Sequence, residues 1–530
     1  MILLLTLACK PDPAVAEVAD TRVEGTIYLT ATESTDAIAI SSGQVVATGA
    51  DARAMDADTV VELGDRVAVP GLHDAHTHLV PGSFVLSRLT VVGTGSMDNI
   101  VNKATSYAED NPDEPWIVGF GWIYSMLDDP NGRRLDVIED RPVFIADSAG
   151  HNALVNKAAL DAAGITADTP DPDGGTIVRD PETGEPTGLL KEAALALVSD
   201  VTLSAYEDPD FLAGMAGPLE QMSEAGLTSI SDIMAIPNFD LSYPWLFQQL
   251  DDAGALPLRV HYHVPIFDVS MMADAAALGA QHDTERVRMA GVKLWVDGSA
   301  SSAEGWVSEP VEGTTDHYGS AYFSTEELTE VAFAAEEAGL RMRLHVTGDA
   351  AVTASLDALE AVAAANGGLA QQHTLEHVVL IQPEDRIRMA ELGVVASIQP
   401  THSLVAGLGG APDAWGAERF AEAYDLRSLA DAGVTMAMGT DWPVWPTLDG
   451  PVILRAAQNL GERSLDGVES MAAYTAGGGQ AVGMPDTLGC LLPGCLADIT
   501  VFSADPITAD LDTLTELEVE QVYVGGDRVR

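Results

Sequence analysis

Residues 70–79 read PGLHDAHTHL and place three of the chain's 12 histidines, His73, His76 and His78, within six positions. The surrounding run is apolar and has the composition of a β-strand, in which side chains two positions apart leave the same face. His76 and His78 therefore present their imidazoles toward one point, as two nitrogen ligands of a metal ion do. The stretch predicts a strand that ends in a metal-binding pair.

The pattern of this strand recurs along the chain. Apolar runs, often introduced by Ala-Gly or Leu-Gly, alternate with Ala- and Glu-rich helical stretches. These alternations predict a parallel (β/α)8 TIM barrel within residues 69–486, with its chemistry at the C-terminal ends of the strands. The long segment at about 83–222 is predicted to cap the barrel mouth. The eight strands are expected within residues 67–79, 225–235, 256–265, 287–298, 339–349, 371–381, 393–402 and 433–444.

Both ends of the chain carry short β-like runs separated by turns. Residues 22–68 include EGTIYLTATES and AIAISSGQVVATG, and residues 487–530 include ADITVFSADP and VEQVYVGGDRV. Two all-β pieces at opposite ends of a chain combine most economically into one small domain. The predicted fold class is therefore α/β, a TIM barrel with a composite β-sandwich built from both terminal segments.

The charge balance is strongly acidic. The chain has 26 Lys and Arg against 81 Asp and Glu, which gives a formal net charge of −55. Such a chain repels nucleic-acid phosphates, so no nucleic-acid partner is expected. An acidic surface is typical of adaptation to salt or of high solubility. The expected partner is a small-molecule substrate, and no pattern specifies an oligomeric state.

The first residues, MILLLTLACKPDP, form a short apolar run that ends at Cys9. The run is too short for a membrane-spanning helix. It resembles the end of a bacterial lipoprotein signal, with Thr6-Leu7-Ala8 before the cysteine that would be lipidated. Residues 1–21 are therefore predicted as a lipoprotein signal and linker, with a lipid anchor at Cys9 and an extracytoplasmic location. An ordinary N-terminus and a cytoplasmic location are the alternative.

Two further cysteines, Cys490 and Cys495, lie in LGCLLPGCLADITVF. Pro493-Gly494 indicates a turn between two strand-like runs. Cysteines that flank such a turn can form a disulfide in an oxidising compartment, which would agree with export. Two unpaired buried thiols are the alternative.

Six ionisable residues fall where a barrel presents functional groups. A single histidine in a strand is usually a core residue with its hydrogen bonds satisfied, but the joint pattern is far more specific. The six are His76 and His78 in strand 1, Lys293 in strand 4, His345 in strand 5, His377 in strand 6 and Asp441 at the end of strand 8.

With these residues, the chain resembles the amidohydrolase superfamily of metal-dependent hydrolases, and within it the amidohydrolase family 3 branch of N-substituted formamide deformylase-like proteins. The resemblance covers nearly the whole chain. It implies a composite β-sandwich, a (β/α)8 barrel and one or two divalent metal ions, usually zinc. The motifs that carry it are VPGLHDAHTHL, WIVGFGW, DRPVFIADSAGHNALVNKAAL, GGTIVRDPETGEPTGLL, GVKLWVDGS, LHVTGDAA, TLEHVVLI, ASIQPTH, GTDWPV and LADITVF.

The resemblance also implies a role for each candidate. Asp441 would be the catalytic residue, which holds the attacking water, takes its proton and hands it to the leaving amine. Lys293 would react with carbon dioxide to give a carbamate that bridges two ions. An unmodified Lys293, paired with Asp297 or Asp441, is the alternative, and Lys191 in GLLKEAA is a second candidate for modification. The implied metal ligands are His76, His78, Lys293, His345, His377 and Asp441.

Three more residues are predicted to contact substrate. His151 and Asn152, in AGHNALVN, match a loop that reaches the barrel mouth in the family. The chain has Ser148-Ala149-Gly150 before this point, where Asp-Gly-His is more usual, so the substrate need not be shared. His402 closes strand 7, where it would orient a substrate or cap the strand.

Neighbouring residues are given other roles. His261 and His263, in VHYHV, have ligand spacing but lie nearer the middle than the end of strand 3. Glu376 is predicted to be a surface group or a support behind the ligands, because adjacent residues of a strand face opposite ways.

The predicted function is hydrolysis of a non-peptide carbon–nitrogen bond, in an amide or formamide, by a metal-activated water. Alternatives within the superfamily are a lactonase, a cyclic amidase or a mononuclear deaminase. A different class of function is an acidic extracytoplasmic binding protein that kept the fold and lost the chemistry. A binding protein has no reason to keep both imidazole pairs, the lysine and Asp441, which favours the enzyme.

Overall fold

The computed structural model describes residues 18–172, 174–233, 244–281, 283–300, 303–404, 415–445 and 448–530. The predicted lipidation site, Cys9, lies outside these residues. None of the helices in the described ranges combines the length and the apolar composition needed to cross a bilayer.

The strands of the described residues belong to three sheets. They are β1 (Val18–Tyr28), β2 (Ser34–Ser41), β3 (Gln44–Thr48), β4 (Asp56–Pro70), β5 (Leu72–Thr77), β6 (Leu89–Thr90), β7 (Ile117–Trp122), β8 (Val143–Asp147), β9 (Asn152–Val155), β10 (Gly175–Arg179), β11 (Pro186–Glu192), β12 (Leu227–Ile233), β13 (Arg259–Pro265), β14 (Val287–Trp295), β15 (Met342–Val346), β16 (Thr374–His377), β17 (Val395–Ile398), β18 (Met436–Met438), β19 (Ile499–Phe502), β20 (Val519–Val524) and β21 (Asp527–Arg528).

The largest sheet in strand number is the barrel. Its order is β18-β17-β16-β15-β14-β13-β12-β5, and every neighbouring pair is parallel. The ends of β18 and β5 are joined beyond the strands, where Asp441 N donates to His76 O at 2.7 Å and His78 N donates to Trp442 O at 2.8 Å. Buried Asp74 accepts from the backbone N and the hydroxyl of Thr440, which strengthens this closure. All eight predicted strands are present, so the predicted fold class is confirmed.

Within the barrel, helices alternate with the strands and cover their outer faces, while other helices belong to the terminal segments and to the segment predicted as a cap. The one before β15 begins at Ser324, whose side chain forms a reciprocal capping box with Glu327. It ends at Gly339, which has a left-handed φ of 69°. The helices are Gly49–Ala54, Leu79–Leu86, Met97–Asp110, Lys157–Ala162, Ala196–Leu203, Asp208–Glu224, Trp245–Asp252, Met272–Gly279, Thr325–Ala338, Asp349–Asn366, Pro383–Leu392, Ala417–Phe420, Leu426–Asp431, Gly450–Gln458, Gly467–Tyr474, Ala476–Ala481 and Leu511–Glu516.

Both termini contribute to one sheet of order β21-β20-β19-β4-β1-β2-β3. β4 lies at its centre, parallel to β1 and antiparallel to β19. One face packs around Val23, Ile38, Val501 and other apolar side chains of both ends. The terminal segments thus form a common β-structure, and the predicted boundaries at 69 and 486 stay a prediction. Buried Arg259 of the barrel donates to the Asp498 carboxylate and links this sheet to the barrel floor.

A third sheet, of order β10-β11-β9-β8-β7-β6, is formed by residues 89–192, within the segment predicted as a cap. It has its own apolar cluster, which includes Ile117, Trp122 and Ile145. Its other face contributes Val118, Phe120 and Phe144 to the main core, next to the barrel mouth.

Cys490 and Cys495 form a disulfide, with their Cα atoms 5.8 Å apart. The predicted turn is present, since Cys495 N donates to Leu492 O at 2.9 Å. The strand-like run before the turn is not a strand, because its backbone bonds irregularly with the N-terminal segment: Leu491 N donates to Leu29 O and Gly494 N to Val45 O.

Candidate metal centre

The candidate residues converge at the C-terminal ends of the barrel strands. His76 lies near the end of β5, His345 near the end of β15 and His377 at the end of β16. His377 and Asp441 have positive φ angles of 72° and 58°. Non-glycine residues held in this region cluster at functional sites, where the surrounding structure fixes an unfavourable backbone.

His76, His78 and Asp441 form a compact group of donor atoms. The Oδ1 atom of Asp441 is 2.9 Å from His78 Nε2 and 3.6 Å from His76 Nε2. Burial works against a charged carboxylate, but the imidazoles of His76 and His78 outweigh it and hold the pKa of Asp441 well below its usual range. Asp441 is therefore an anion beside two imidazole nitrogens.

Each of the four predicted histidine ligands is held from outside through its Nδ1 atom. An acceptor at Nδ1 keeps the proton there and leaves Nε2 free to coordinate, which is the usual arrangement behind metal-bound histidine. The pairs are His76 with Glu376 at 2.5 Å, His78 with the Ile233 carbonyl at 2.5 Å, His345 with Asp297 at 3.0 Å and His377 with Gln399 at 2.8 Å.

These residues fit a divalent metal ion. The Nε2 atom of His76 is buried and makes no hydrogen bond to any described residue, a costly state unless the atom has a ligand. Burial lowers the pKa of His76 to about 4, so the imidazole is neutral, the form that binds metals. The candidate ligand atoms of His76, His78 and Asp441 lie within 4.8 Å of one another.

A second group overlaps the first at Asp441. It comprises His377, His402 and Asp441, whose candidate ligand atoms also lie within 4.8 Å of one another. His402 Nε2 is 3.8 Å from Asp441 Oδ2. The ring of His377 is 4.6 Å from that of His345 and 4.8 Å from that of His76, between centroids. His402, predicted as a substrate contact, therefore also lies where it could ligate.

Glu376 is fully buried and is not a surface group. It accepts from His76 Nδ1 and from the guanidinium of Arg343, which is itself completely buried. Burial opposes its ionisation, but Arg343 and His76 hold the pKa of Glu376 well below its usual range. Of the two roles predicted for Glu376, the surface group is therefore wrong, and the bond to His76 Nδ1 agrees with the other, a support behind the candidate ligands.

Lys293, of β14, is 1% exposed at the base of the site. Burial lowers its pKa to about 8, against the opposing charges of Glu376 and Asp441. Its Nζ atom lies 5.4 Å from the centroid of the Trp295 ring. Lys191 lies instead on β11 of the cap, with Nζ 4.8 Å from the Tyr124 ring, away from the ligand group.

The cap brings His151 to the site. Its ring is 5.5 Å from that of His345, and its Nδ1 atom is 2.5 Å from the Glu192 carboxylate. Burial disfavours the charged ring, but Glu192 and Asp147 outweigh it and raise the pKa of His151 to about 9. Glu192 itself has a positive φ of 52°. No sequence motif indicated Glu192, since it approaches His151 only because β11 pairs with β9.

Asn152, predicted to contact substrate, is completely buried behind this loop. Its side chain donates to Asp147 Oδ2 at 2.7 Å, and its backbone N donates to Asp147 Oδ1 at 3.1 Å. The loop turns around Asp147, so Asn152 supports His151 and does not face the open space.

His261 and His263 lie inside the barrel, apart from the ligand group. Both are buried, and neither ring nitrogen of either residue has a hydrogen-bond partner among the described residues. The His261 ring is 5.7 Å from that of His73, which is hydrogen-bonded to Ser229 and Ser231. The two-residue spacing in VHYHV therefore means only that both histidine side chains of this strand point into the barrel.

A cavity of about 790 Å³ opens above the ligand group. His76, His78, Lys293, His345, His377 and Asp441 all contribute to its floor. Its walls include Phe120 and Phe144 of the cap sheet, and Phe267 and Trp295 of the barrel side. A small molecule can therefore reach the candidate ligands.

Known proteins are similar to this chain in sequence and in fold. An amidohydrolase family model matches residues 59–530. The protein LONG AFTER FAR-RED 3 of Arabidopsis thaliana is 29% identical, over 93% of this chain and 88% of its own. The N-substituted formamide deformylase of Arthrobacter pascens is 26% identical, over 92% of this chain and 94% of its own. The crystal structure of an uncharacterised metal-dependent hydrolase from Pyrococcus furiosus aligns with a TM-score of 0.71 at 25% identity, over 92% of this chain and 100% of its own.

A parallel barrel with imidazole and carboxylate donors at its mouth is typical of metal-dependent hydrolases. Since the family model covers most of its length, the chain belongs to the amidohydrolase family. It is a metal-dependent hydrolase whose candidate ligands are the histidines and the aspartate described above.

Proposed function

We propose that the protein hydrolyses a carbon–nitrogen bond, other than a peptide bond, in a small amide or formamide. The observation that carries the proposal is the ionised Asp441 beside the buried, unbonded Nε2 of His76, at the floor of a substrate-sized cavity. The relative from Arthrobacter pascens, an N-substituted formamide deformylase, supports the choice of bond.

Zinc is the proposed metal, because neutral imidazole and carboxylate are donors that suit it. A divalent ion bound here would polarise the scissile carbonyl and lower the pKa of a water molecule. His76, His78, His345 and His377 would hold such ions through Nε2, since their Nδ1 atoms are already engaged.

Asp441 is the proposed proton carrier. Its carboxylate accepts the proton of the attacking water and then donates it to the nitrogen of the departing amine. The products are a carboxylic acid and an amine. His78 and His76 hold Asp441 Oδ1 in place, while the backbone bond from Asp441 N to His76 O fixes the direction of its side chain.

Lys293 is proposed to carry a carbamate. The neutral amine, favoured by the pKa of about 8 that burial produces, bonds through its nitrogen lone pair to the carbon of CO2 and releases a proton. The step converts the neutral amine into an anion that offers two oxygen donors, and the electron pair of one C=O π bond of CO2 becomes the negative charge.

An extracytoplasmic location with a lipid anchor at Cys9 completes the proposal. The Cys490–Cys495 disulfide supports it, because disulfides persist in oxidising compartments. Membrane fractionation of the protein and of Cys9→Ser tests it: the wild type should be found with membranes and the variant should be soluble. Equal distribution of the two would contradict the anchor.

The first experiment measures metal content by elemental mass spectrometry on protein purified without chelator, together with hydrolysis of a panel of formamides and acetamides. Lys293→Ala is compared with Lys157→Ala, which alters an exposed lysine paired with Asp161. Two metals per chain, lost only in Lys293→Ala, together with amide turnover, would support the proposal. One metal, unaffected by Lys293→Ala, would indicate a mononuclear hydrolase or deaminase, and metal without turnover would indicate a binding protein.

A further inference from the structure

We propose that the substrate is an uncharged amide with a bulky apolar group, and that amides carrying a carboxylate next to the scissile bond are excluded. This inference rests on the proposed function, because it names the substrates of the same site. It is carried by the walls of the cavity above the ligand group, which we call the chamber.

The chamber has apolar walls on both sides. Phe120 of β7 and Phe144 of β8 face it from the cap sheet, and Phe84 faces it from the helix that follows β5. Its volume of about 790 Å³ is within the range that holds drug-sized ligands. A substituent much larger than a methyl group is needed to fill this space and to gain the free energy of apolar burial.

The rim of the chamber carries an aromatic pair. Phe267 stacks on Trp295 with ring centroids 6.0 Å apart and ring planes 5° from parallel. Phe267 is 36% exposed, so part of its ring remains open to a ligand in the chamber. A flat apolar group that enters the chamber would cover this pair.

The charges that line the chamber are mostly negative. Among the described residues, five carboxylates contribute to the lining and no arginine does. The cationic candidates are His151, whose Nδ1 is engaged by Glu192, and Lys293, which is buried at the floor beside other carboxylates. The five carboxylates are Glu192, Asp268, Glu327, Glu330 and Asp441.

A substrate carboxylate would therefore lose its hydration beside these carboxylates and find no guanidinium among the described lining residues, while His151 is already paired with Glu192 and Lys293 is proposed to be a carbamate. An uncharged substrate meets no such penalty.

The test compares three formamides on the metal-loaded wild-type enzyme. N-phenethylformamide and N-formylphenylalanine differ only by the carboxylate, while N-methylformamide lacks the apolar group. We expect kcat/KM for N-phenethylformamide to exceed that for N-formylphenylalanine by at least about 100-fold, because the charged analogue leaves an anion unpaired. The kcat/KM for N-phenethylformamide should also exceed the kcat/KM for N-methylformamide by at least about tenfold, because the phenethyl group is buried against the apolar walls.

Two phenylalanines of similar exposure provide the matched variants. Phe267→Ala should lower the ratio of kcat/KM for N-phenethylformamide to that for N-methylformamide by roughly fivefold, because it removes half of the rim pair. Phe333→Ala, at a position 38% exposed on an outer helix, should leave that ratio unchanged. A merely structural effect would change the rates on both substrates together.

Turnover of N-formylphenylalanine at a rate equal to that of N-phenethylformamide would overturn the inference and leave the proposed function intact. Failure to cleave any amide would count against the proposed function alone, and binding then decides the inference. Calorimetry with N-phenethylmethanesulfonamide and its carboxylated counterpart, N-methanesulfonylphenylalanine, should show at least tenfold tighter binding of the uncharged compound, about 1.4 kcal/mol. Equal or reversed affinities would overturn it.

Discussion

At the scale of single residues, the site depends on which nitrogen of each histidine is held from outside. Acceptors at Nδ1 come from four different sources: two carboxylates, a side-chain amide and a backbone carbonyl. Each fixes the tautomer and the ring direction, so the Nε2 atoms face one another across the barrel mouth. The ligands are thus set before any ion arrives.

Asp441→Asn keeps the shape of the side chain and removes the proton acceptor. We expect kcat on the best amide substrate to fall at least about 100-fold, with part of the metal retained by His76 and His78. Steady-state kinetics with elemental analysis measures both. Asp431→Asn, at an exposed carboxylate paired with Arg427, is the control and should change kcat by no more than about twofold. Normal turnover by Asp441→Asn would refute the assigned role.

Glu376→Gln should destabilise the protein even without metal. The substitution leaves the guanidinium of Arg343 buried and uncompensated, which costs about 3–5 kcal/mol of unfolding free energy. Urea denaturation of the metal-free protein measures this loss. Glu360→Gln removes one partner of Arg388 at the surface and should cost less than about 1 kcal/mol. Equal losses of unfolding free energy in Glu376→Gln and Glu360→Gln would show that the buried Glu376–Arg343 pair stabilises the protein no more than an exposed pair does.

The sequence predicts which residues converge at the site better than it predicts the groups that hold them in place. His76, His78, His345, His377 and Asp441 lie in recognisable strand motifs, so their convergence follows from the barrel. Glu376, Asp297, Gln399 and Glu192 act across strand or sheet boundaries, and their partners depend on register and on a positive φ at His377 or Glu192. Single-sequence periodicity carries no information on these distances.

At the scale of elements, the barrel depends on short connections in which a helix ends at a defined residue and the next strand follows directly. In the sequence, Ala-Gly and Leu-Gly pairs precede the predicted strands. In the structure the glycine of such a pair is a helix C-cap, as at Gly339 and Gly393, where φ is 69° and 68°. This explains why all eight strands could be predicted. The run LGCLL could not be distinguished from a strand, because its bonds go to distant loops.

Gly339→Ala tests the C-cap directly. A Cβ at this position meets no atom within 4 Å, so the loss should come from the left-handed backbone alone, about 1 kcal/mol of unfolding free energy. Thermal or urea denaturation measures it. Gly217→Ala, inside the helix Asp208–Glu224 and equally unobstructed, should be neutral or should stabilise by up to about 1 kcal/mol. A loss of the same size at Gly217 would contradict the conformational explanation.

At the scale of the whole molecule, the barrel contains histidines that the proposed chemistry does not use. His73, His261 and His263 are buried inside it, and burial lowers the pKa of each, to about 3 for His261. They are therefore neutral in the folded protein at pH values where an unfolded histidine is charged.

These histidines should make the protein sensitive to acid. Below about pH 6.5 the unfolded chain binds protons that the folded chain does not, so acid favours unfolding. Above that pH these histidines take nothing from the free energy of unfolding. As the pH falls toward the folded pKa values, each histidine lowers the free energy of unfolding by about 1.4 kcal/mol per pH unit. Denaturation of the metal-free protein between pH 7 and pH 4.5 measures the slope.

His261→Phe should reduce the pH dependence of the free energy of unfolding by the contribution of one histidine, about 1.4 kcal/mol per pH unit. Val260→Ala, on the same strand but facing the helices, should lower stability at every pH and leave the slope unchanged. A pH slope that His261→Phe does not alter would show that this histidine also stays neutral in the unfolded chain or is charged in the folded one.

The position of β4 between β1 and β19 has a consequence for synthesis on the ribosome. β4 lacks its neighbour β19 until several hundred further residues have been translated, since β4 ends at Pro70 and β19 begins at Ile499. Until then the nascent chain exposes the edge of β4, the kind of edge that joins other chains. Newly made protein therefore depends on β19 to protect this edge from aggregation, and a premature stop codon before Ile499 would release a molecule with all eight barrel strands and an open sheet.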